Sequence, residues 1–256
     1  MSITLEDKVV VIGGAAKNLG GLISRDLAQH GAKAIVVHYN SNSTREAAEE
    51  TVAAVKDAGA DAFAIQGDLT VVAENVRLFS EARSRFGKVD IAINTTGMVI
   101  KKPILDVTEA DYDKIFAINS KAAFFFIQEA GRTLSDSGHI VTLVSSLLAA
   151  YTDSYAIYPG SKAPIEHYTR AASKEFGVRG ISVNALGPGP MDTPFFYGQE
   201  AKEAVAYHKS AAALSKFSKT GLTDIQDIAP IVRFLVTEGW WITGQTIFAN
   251  GGYTTR

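Results

Sequence analysis

Short runs of β-branched residues alternate with longer helical stretches along nearly all of the chain, and this alternation limits the possible folds. Each strand-like run is apolar and short, whereas the stretches between them have helical periodicity or end at a glycine. Strands that alternate with helices predict a parallel sheet covered by helices on both faces. We expect about seven strands, at Lys8–Gly13, Ala34–Tyr39, Ala62–Gln66, Val89–Asn94, His139–Val144, Ile181–Leu186 and Gln245–Phe248.

The helices are predicted from the same pattern and from their capping residues. Ser43 with Glu46, and Thr108 with Asp111, have the spacing of a capping box. Pro164 falls inside a helical stretch and is expected to bend it, because proline lacks the N–H that bonds the preceding turn. The expected helices are Leu19–His30, Ser43–Ala58, Val71–Phe86, Glu109–Leu134, Ser154–Gly177 and Asp224–Thr237.

No linker, composition shift or internal repeat divides the chain. Residues 1–256 are therefore predicted to form one α/β domain with a doubly wound parallel sheet. The least regular stretch is Gly187–Thr220, with a short helix expected at Glu200–Leu214. A long irregular segment between a strand and the next helix is typical of a lid over a binding site, and we place this lid at about 188–220.

Charge and cysteine content exclude several classes of function. The net charge of -2 disfavours binding to nucleic acid, and the absence of cysteine excludes disulfides and thiolate chemistry. The N-terminus has no signal-peptide pattern, and the longest apolar run, Ala122–Ile127, is far below the ~20 residues of a membrane helix. We therefore expect a cytoplasmic protein without membrane attachment. The histidines lack metal-ligand spacing, so no metal is expected, and His167 and His208 are expected on helix surfaces.

A glycine-rich turn follows the first strand and opens the first helix, with the sequence GGAAKNLGG from Gly13. A helix N-terminus offers free N–H groups and the positive end of the helix dipole to a pyrophosphate. Gly14 permits a tight turn and a close approach of phosphate, and Gly20 would let the helix pack near the sheet. The pattern favours nucleotide binding, although a plain strand–helix turn with packing glycines would also explain it.

Polar residues of catalytic type lie at the ends of later strands. Tyr158 and Lys162 are four residues apart, which places them on one helix face, and Ser145 ends the fifth strand. Asn119 lies in the long helix before that strand, and Asn94 ends the fourth strand. Open α/β sheets bind ligands at the carboxyl ends of their strands, so we expect these side chains to share one site.

The order of these motifs resembles the classical short-chain dehydrogenase/reductase family from Lys8 to Gly252. The turn is similar to the family's T-G-x-x-x-G-x-G, with Gly13 in place of threonine and Asn18 in place of the middle glycine. Asparagine tolerates a left-handed backbone, so the turn is expected to survive. The remaining matches are Asp68 after strand three, the Asn94–Gly97 N-x-x-G, Asn119, Ser145, Tyr158 with Lys162, and Pro188-Gly189 after strand six.

The resemblance implies a Rossmann-type fold and a catalytic group of Asn119, Ser145, Tyr158 and Lys162. In that family the tyrosine is the general acid/base, and the serine donates to the substrate oxygen. The lysine favours the phenolate and binds the nicotinamide ribose. Asn119 is expected to hold a water that links Lys162 to solvent. The implied assembly is a homotetramer, or a homodimer.

The end of the second strand bears on the choice of cofactor. NAD-binding enzymes usually have a carboxylate there for the ribose, but here the strand runs into Tyr39, Asn40 and Ser41. Lys17 could supply charge to a 2′-phosphate, so NADP(H) is preferred and NAD(H) possible. The expected cofactor contacts are Gly14, Lys17, Asn18, Leu19, Tyr39, Asn40, Ser41, Asp68, Leu69, Asn94, Thr95, Tyr158, Lys162, Pro188, Gly189, Met191 and Thr193.

The sequence thus predicts an NADP(H)-dependent reductase that interconverts a ketone and a secondary alcohol, similar to 3-oxoacyl-carrier-protein reductases. The alternatives are an NAD-dependent sugar or steroid alcohol dehydrogenase and, from another class, a non-catalytic dinucleotide sensor. A mostly apolar substrate pocket suggests a hydrophobic or aromatic carbonyl. Its expected wall is Met98, Val99, Leu147, Ala149, Tyr151, Phe195 and Phe196.

Overall fold

The computed structural model describes residues 4–255 and contains a seven-stranded parallel sheet of order β3-β2-β1-β4-β5-β6-β7. The expected α/β fold is therefore confirmed. The strands are β1 (Val9–Gly13), β2 (Ala34–Tyr39), β3 (Asp61–Gln66), β4 (Ile91–Asn94), β5 (His139–Leu143), β6 (Ser182–Pro188) and β7 (Thr246–Ala249). Every neighbouring pair is parallel.

Helices cover both faces of the sheet. They are α1 (Asn18–Gln29), α2 (Arg45–Asp57), α3 (Val72–Phe86), α4 (Glu109–Phe116), α5 (Ala122–Thr133), α6 (Ile157–Lys162), α7 (Pro164–Glu175), α8 (Pro194–Tyr197), α9 (Lys202–Ala211) and α10 (Ile225–Leu235). None of the helices within residues 4–255 combines the length and the apolar character needed to cross a lipid bilayer.

The core has two layers because successive residues of a strand point to opposite faces. Val10 and Ile12 belong to the layer beneath α1 and α10, whereas Val11 belongs to the layer beneath α3 and α5. All five residues of β1 are buried. A central parallel strand covered on both faces must be apolar throughout, which explains its unbroken hydrophobic sequence.

The chain reverses its direction of travel across the sheet at β1, which pairs with β2 on one side and β4 on the other. In the β1–β4 ladder Gly13 is the register partner of Asn94, so the carboxyl ends of these two strands lie side by side. Ligands of open α/β sheets bind at such a switch point. The fold therefore brings the glycine-rich turn to the loop that follows β4.

The helix starts agree only in part with the predicted capping boxes. The Thr108 hydroxyl accepts a hydrogen bond from the Asp111 N–H, and the Asp111 carboxylate accepts one from the Thr108 N–H, as predicted. The Ser43–Glu46 box is wrong, because Ser43 lies in a 3-10 turn and α2 begins at Arg45 without a side-chain cap.

Two predicted helices are interrupted. The helix expected at 109–134 contains a π-helical turn, Ala117–Lys121, between α4 and α5. The helix expected at 154–177 starts at Ile157 and is divided into α6 and α7 at Pro164, the residue expected to disturb it. In the predicted lid, the helix expected at Glu200–Leu214 is present but shorter (α9), and a separate four-residue helix, α8, precedes it.

Candidate active site

Two adjoining cavities lie at the carboxyl edge of the sheet. The larger is a cleft of about 670 Å³ that runs from the glycine-rich turn to the loops after β4 and β6. The smaller has a volume of about 90 Å³ and is lined by Ser145 and by the segment after β6. Tyr158 lines both cavities, which places its side chain where they meet.

The glycine-rich turn contains two residues with a left-handed backbone. Gly14 has φ +75°, and Asn18, the residue in place of a glycine, has φ +51°. Asparagine is among the few side chains that adopt this conformation readily, so the turn is retained as predicted. A Cβ on Gly20 would lie 2.3 Å from the Gly14 carbonyl oxygen, so α1 can approach the turn this closely only with glycine at that position.

A buried histidine fixes this turn, although no sequence motif marks it. His38 Nδ1 accepts a hydrogen bond from the Gly14 N–H at 3.1 Å, and its Nε2–H donates to the Gly67 carbonyl at 2.8 Å. Burial lowers the pKa of His38 to about 4, so the ring is neutral at pH 7. The sequence signal for this residue was its place in β2, directly before the predicted cofactor contacts.

The charges that line the cleft are mainly positive. Lys17 is exposed at the N-terminus of α1, and Lys114 and Lys162 also line the cleft, against one carboxylate, Asp68. At the end of β2 the lining residues are Tyr39 and others without charge. An anionic ligand would therefore meet little repulsion near β2.

The catalytic candidates Ser145, Tyr158 and Lys162 all line the two cavities. Burial raises the pKa of Tyr158, and a hydrogen bond from Ser145 to its hydroxyl lowers it in part. The Lys162 ammonium is buried and donates to the carbonyl oxygens of Thr96 at 3.2 Å and Leu143 at 3.1 Å. Burial lowers the pKa of Lys162 to about 8, which leaves it mostly charged at neutral pH.

Asn119 lies in the π-helical turn, a local structure that often marks functional sites. Its Nδ2 group donates to the Met98 carbonyl and to Ser161 Oγ, each at 2.9 Å. Its Oδ1 accepts a hydrogen bond from the Met98 N–H at 2.8 Å. Asn119 therefore joins the loop after β4 to α6, the helix that carries Tyr158 and Lys162.

Most of the predicted cofactor contacts line the cleft. Gly189 lines the smaller cavity instead, and Ser41 and Asn94 lie outside both linings. Asn94 Oδ1 accepts hydrogen bonds from the N–H and hydroxyl of Thr96. Asn94 therefore stabilises the loop after β4 and does not form part of the cleft surface. The predicted contacts that do line the cleft are Gly14, Lys17, Asn18, Leu19, Tyr39, Asn40, Asp68, Leu69, Thr95, Tyr158, Lys162, Pro188, Met191 and Thr193.

Several residues that line the cleft were not among the predicted cofactor contacts or the predicted pocket wall. Most are neighbours of predicted residues in the same turns, and adjacency was the signal that could have found them. Lys114 comes from α4, where no motif marked it, whereas Ile118 directly precedes Asn119 in the π-helical turn. The missed residues are Ala16, Gly20, His38, Thr44, Thr70, Thr96, Gly97, Lys114, Ala117, Ile118, Ala122, Leu143 and Val144.

The predicted pocket wall is correct in part. Val99, Leu147, Phe195 and Phe196 line the smaller cavity, and Met98 lines the cleft. Ala149 and Tyr151 belong to neither lining, and the Tyr151 side chain points to solvent. The loop after β5 turns away through a 3-10 turn, Ser146–Leu148, which the sequence did not predict.

The two histidines expected on helix surfaces differ. His167 is exposed, as expected, but the surface prediction for His208 was wrong, because that ring is 4% exposed and lines the smaller cavity. It packs on Phe196, with ring centroids 5.4 Å apart. Within residues 4–255 no group of three or more His, Cys, Asp or Glu side chains is placed to hold a metal ion.

A glycine turn at the switch point of a parallel sheet, with a serine, a tyrosine and a lysine beside it, defines a dinucleotide-dependent oxidoreductase of the short-chain type. Comparison with known proteins agrees. The family model described as enoyl-(acyl carrier protein) reductase matches residues 14–254. The chain belongs to the short-chain dehydrogenase/reductase family, whose members use NAD(P).

Solved structures and curated relatives resemble the chain over its full length. A dehydrogenase from Burkholderia cenocepacia with bound NADP is 66% identical, with a TM-score of 0.98, and the match covers 100% of this chain and 97% of that one. A blue fluorescent protein from a metagenomic library, in complex with NADPH, is 30% identical, with a TM-score of 0.89 and coverage of 98% and 100%. The hydroxynaphthalene reductase-like protein Arp2 of Metarhizium brunneum is 37% identical over 262 residues, 98% of this chain and 97% of Arp2.

Proposed function

We propose that this protein is an NADP(H)-dependent oxidoreductase that interconverts a ketone and a secondary alcohol, with Tyr158 as general acid/base. The observation that carries the proposal is the position of Tyr158. It lines both the cleft and the small cavity, next to Ser145 and one helical turn from Lys162. A substrate in the small cavity would meet a cofactor in the cleft at this residue.

The cleft fits a dinucleotide phosphate. Gly14 and Gly20 keep the turn compact, because a Cβ on Gly14 would lie 2.8 Å from Thr95 Oγ1 and a Cβ on Gly20 would clash with the Gly14 carbonyl oxygen. The neutral His38 ring accepts a hydrogen bond from the Gly14 N–H and holds the turn in this shape. Without a carboxylate at the end of β2, and with Lys17 close by, a 2′-phosphate meets attraction rather than repulsion. NADP bound to the 66% identical Burkholderia dehydrogenase supports the same preference.

When bound, the nicotinamide supplies or accepts the hydride. The chain's own residues handle the proton. Because burial raises the pKa of Tyr158, its hydroxyl is protonated at neutral pH and can donate to an oxygen that becomes negative. Ser145 would donate a hydrogen bond to the same oxygen. The Lys162 ammonium lowers the cost of the phenolate that remains.

We also propose that Asn119 acts as a positioning residue. Its hydrogen bonds to Met98 and Ser161 hold α6 against the loop after β4, which keeps Lys162 in place.

For the assembly we propose a homotetramer, or a homodimer, through α4, α5 and α7. Tyr112 and Phe124 on these helices are 50% and 40% exposed, and light scattering would test this assembly.

The test is turnover of a panel of ketones with NADPH and NADH side by side. Tyr158→Phe should lower kcat by about 10²- to 10⁴-fold, the usual contribution of general acid catalysis. Tyr168→Phe is a matched control, because that half-buried hydroxyl bonds Ser120 outside both cavities. Lys17→Ala should raise the KM for NADPH about fivefold and leave that for NADH unchanged.

Undiminished turnover in Tyr158→Phe would refute the assignment of the acid/base. Tight cofactor binding without turnover of any ketone would favour a dinucleotide sensor. A preference for NADH would refute the cofactor argument and favour an NAD-dependent alcohol dehydrogenase.

A further inference from the structure

A buried carboxylate lines the small cavity, where an apolar wall was expected. Glu200 belongs to the segment between α8 and α9, yet its side chain is only 1% exposed. Its Oε2 accepts a hydrogen bond from the Lys101 ammonium at 2.6 Å, and its Oε1 accepts one from the Tyr155 hydroxyl. His208 Nε2 lies 3.8 Å from Oε1.

Three distant segments hold this carboxylate in place. Lys101 comes from the loop after β4, Glu200 from the segment before α9, and Tyr155 from the turn before α6. The Lys101 ammonium also lies 5.1 Å from the centre of the Tyr155 ring. The Tyr155 ring in turn lies 6.2 Å from the Tyr158 ring, centre to centre. Glu200 is therefore fixed close to the proposed acid/base.

The group as a whole is neutral and polar. The charges of Glu200 and Lys101 balance. Burial raises the pKa of Tyr155 and of Tyr253, and burial lowers the pKa of His208, so these three are uncharged at neutral pH. A neutral ligand enters such a site without adding an unpaired charge, whereas an anionic ligand brings a charge that has no partner there.

Glu200 retains capacity to accept hydrogen bonds. A carboxylate offers about four lone-pair positions, and Lys101 and Tyr155 occupy one on each oxygen. Because Glu200 lines the cavity, a hydroxyl group of a substrate can donate to a remaining position. A methyl group in the same place has no hydrogen to donate, so it cannot make this bond.

We propose that Glu200 is a specificity-determining residue that selects small, neutral, hydroxyl-bearing ketones over apolar or anionic ketones of the same size. This inference rests on the proposed ketone reduction and names its substrate class. The cavity volume of about 90 Å³ agrees with a compact substrate.

The test compares ketones in which a hydroxyl replaces a methyl group at constant size. One pair is hydroxyacetone and butanone, the other diacetone alcohol and methyl neopentyl ketone, with pyruvate as the anionic ketone. In the wild type, kcat/KM with NADPH should be about tenfold or more higher for the hydroxyl member of at least one pair. Glu200→Gln should bring that ratio close to one and raise kcat/KM for pyruvate about tenfold.

Two further variants separate specificity from stability. Glu203→Gln changes an exposed glutamate in the first turn of α9 and should keep the wild-type ratios. The double variant Lys101→Met with Glu200→Gln leaves no buried charge unpaired, and it should lose the discrimination as Glu200→Gln does.

Equal kcat/KM values within both pairs in the wild type would overturn the inference, as would discrimination that persists in Glu200→Gln and in the double variant. Those results leave the proposed function standing, because ketones are still reduced. Failure of the proposed function has a different signature, which is absence of ketone turnover in the wild type, or turnover that Tyr158→Phe does not diminish.

Discussion

Acidification should destabilise the folded protein through His38, the buried ring that holds the glycine-rich turn. In the folded state burial lowers the pKa of His38 from 6.5 to about 4. Between these values the unfolded chain binds a proton that the folded chain does not. The free energy of unfolding therefore falls as pH drops below 6.5, and the loss is complete near pH 4.

The size of the effect follows from the pKa difference. One pH unit in this window corresponds to about 1.4 kcal/mol per group, so His38 should cost about 2 kcal/mol at about pH 5. Burial lowers the pKa of His139 to about 4 as well, so this second histidine should add a similar loss. Removing His38 should therefore abolish roughly half of the acid sensitivity that these two residues cause.

Urea unfolding followed by the fluorescence of Trp240 and Trp241 measures this effect. The free energy of unfolding is determined at about pH 7 and about pH 5, at one protein concentration so that assembly does not contribute. His38→Gln should lose about 2 kcal/mol less than the wild type over that interval. His30→Gln, a substitution of an exposed histidine, is the control and should behave as the wild type. Equal losses in His38→Gln and the wild type would refute the reasoning.

Two further predictions concern the glycine turn and helix capping. Gly20→Ala should weaken NADPH binding about tenfold or more, because its Cβ would lie 2.3 Å from the Gly14 carbonyl and the turn must shift. Fluorescence titration measures this, with Gly177→Ala, where a Cβ meets nothing within 4 Å, as the control; equal affinities would contradict it. Thr108→Ala should lower the free energy of unfolding by about 1 kcal/mol, measured by urea unfolding. Ser43→Ala should change it by less than about 0.5 kcal/mol, and equal losses would contradict the capping argument.

The sheet could be predicted because a buried parallel strand leaves a local signature. The bounds of β2, Ala34–Tyr39, are the same as those predicted, and β1 begins one residue later than predicted. The helix starts were less predictable. Ser43–Glu46 and Thr108–Asp111 have the same spacing, but only the second pair caps a helix, because the chain after β2 makes a 3-10 turn first. Spacing alone does not determine which of the two conformations has the lower free energy.

The proposed catalytic group could be predicted because its members lie at strand ends or on one helix face. Ser145 follows β5, and Tyr158 and Lys162 lie one turn apart on α6, so all three line the cavities at the carboxyl edge of the sheet. Most of the cleft residues could be predicted for the same reason, because they also lie at the carboxyl edge of the sheet. Ser41 was expected to contact the cofactor, but its hydroxyl bonds that of Ser43 at 2.8 Å within the 3-10 turn.

The residues that the sequence did not reveal act through contacts between distant segments. Glu200 and Lys101 are 99 residues apart, and His38 and Gly67 are 29 residues apart. From the sequence alone, a carboxylate in an irregular segment is predicted to be a solvated surface residue. The fold shows instead that Glu200 is paired with a cation. Burial changes the function that we assign to this carboxylate, because a charge that is paired inside a cavity beside the proposed acid/base restricts which ligands can enter. Motifs therefore predict the chemistry that the family shares. The choice of substrate depends on packing between distant segments, which a local sequence pattern does not predict.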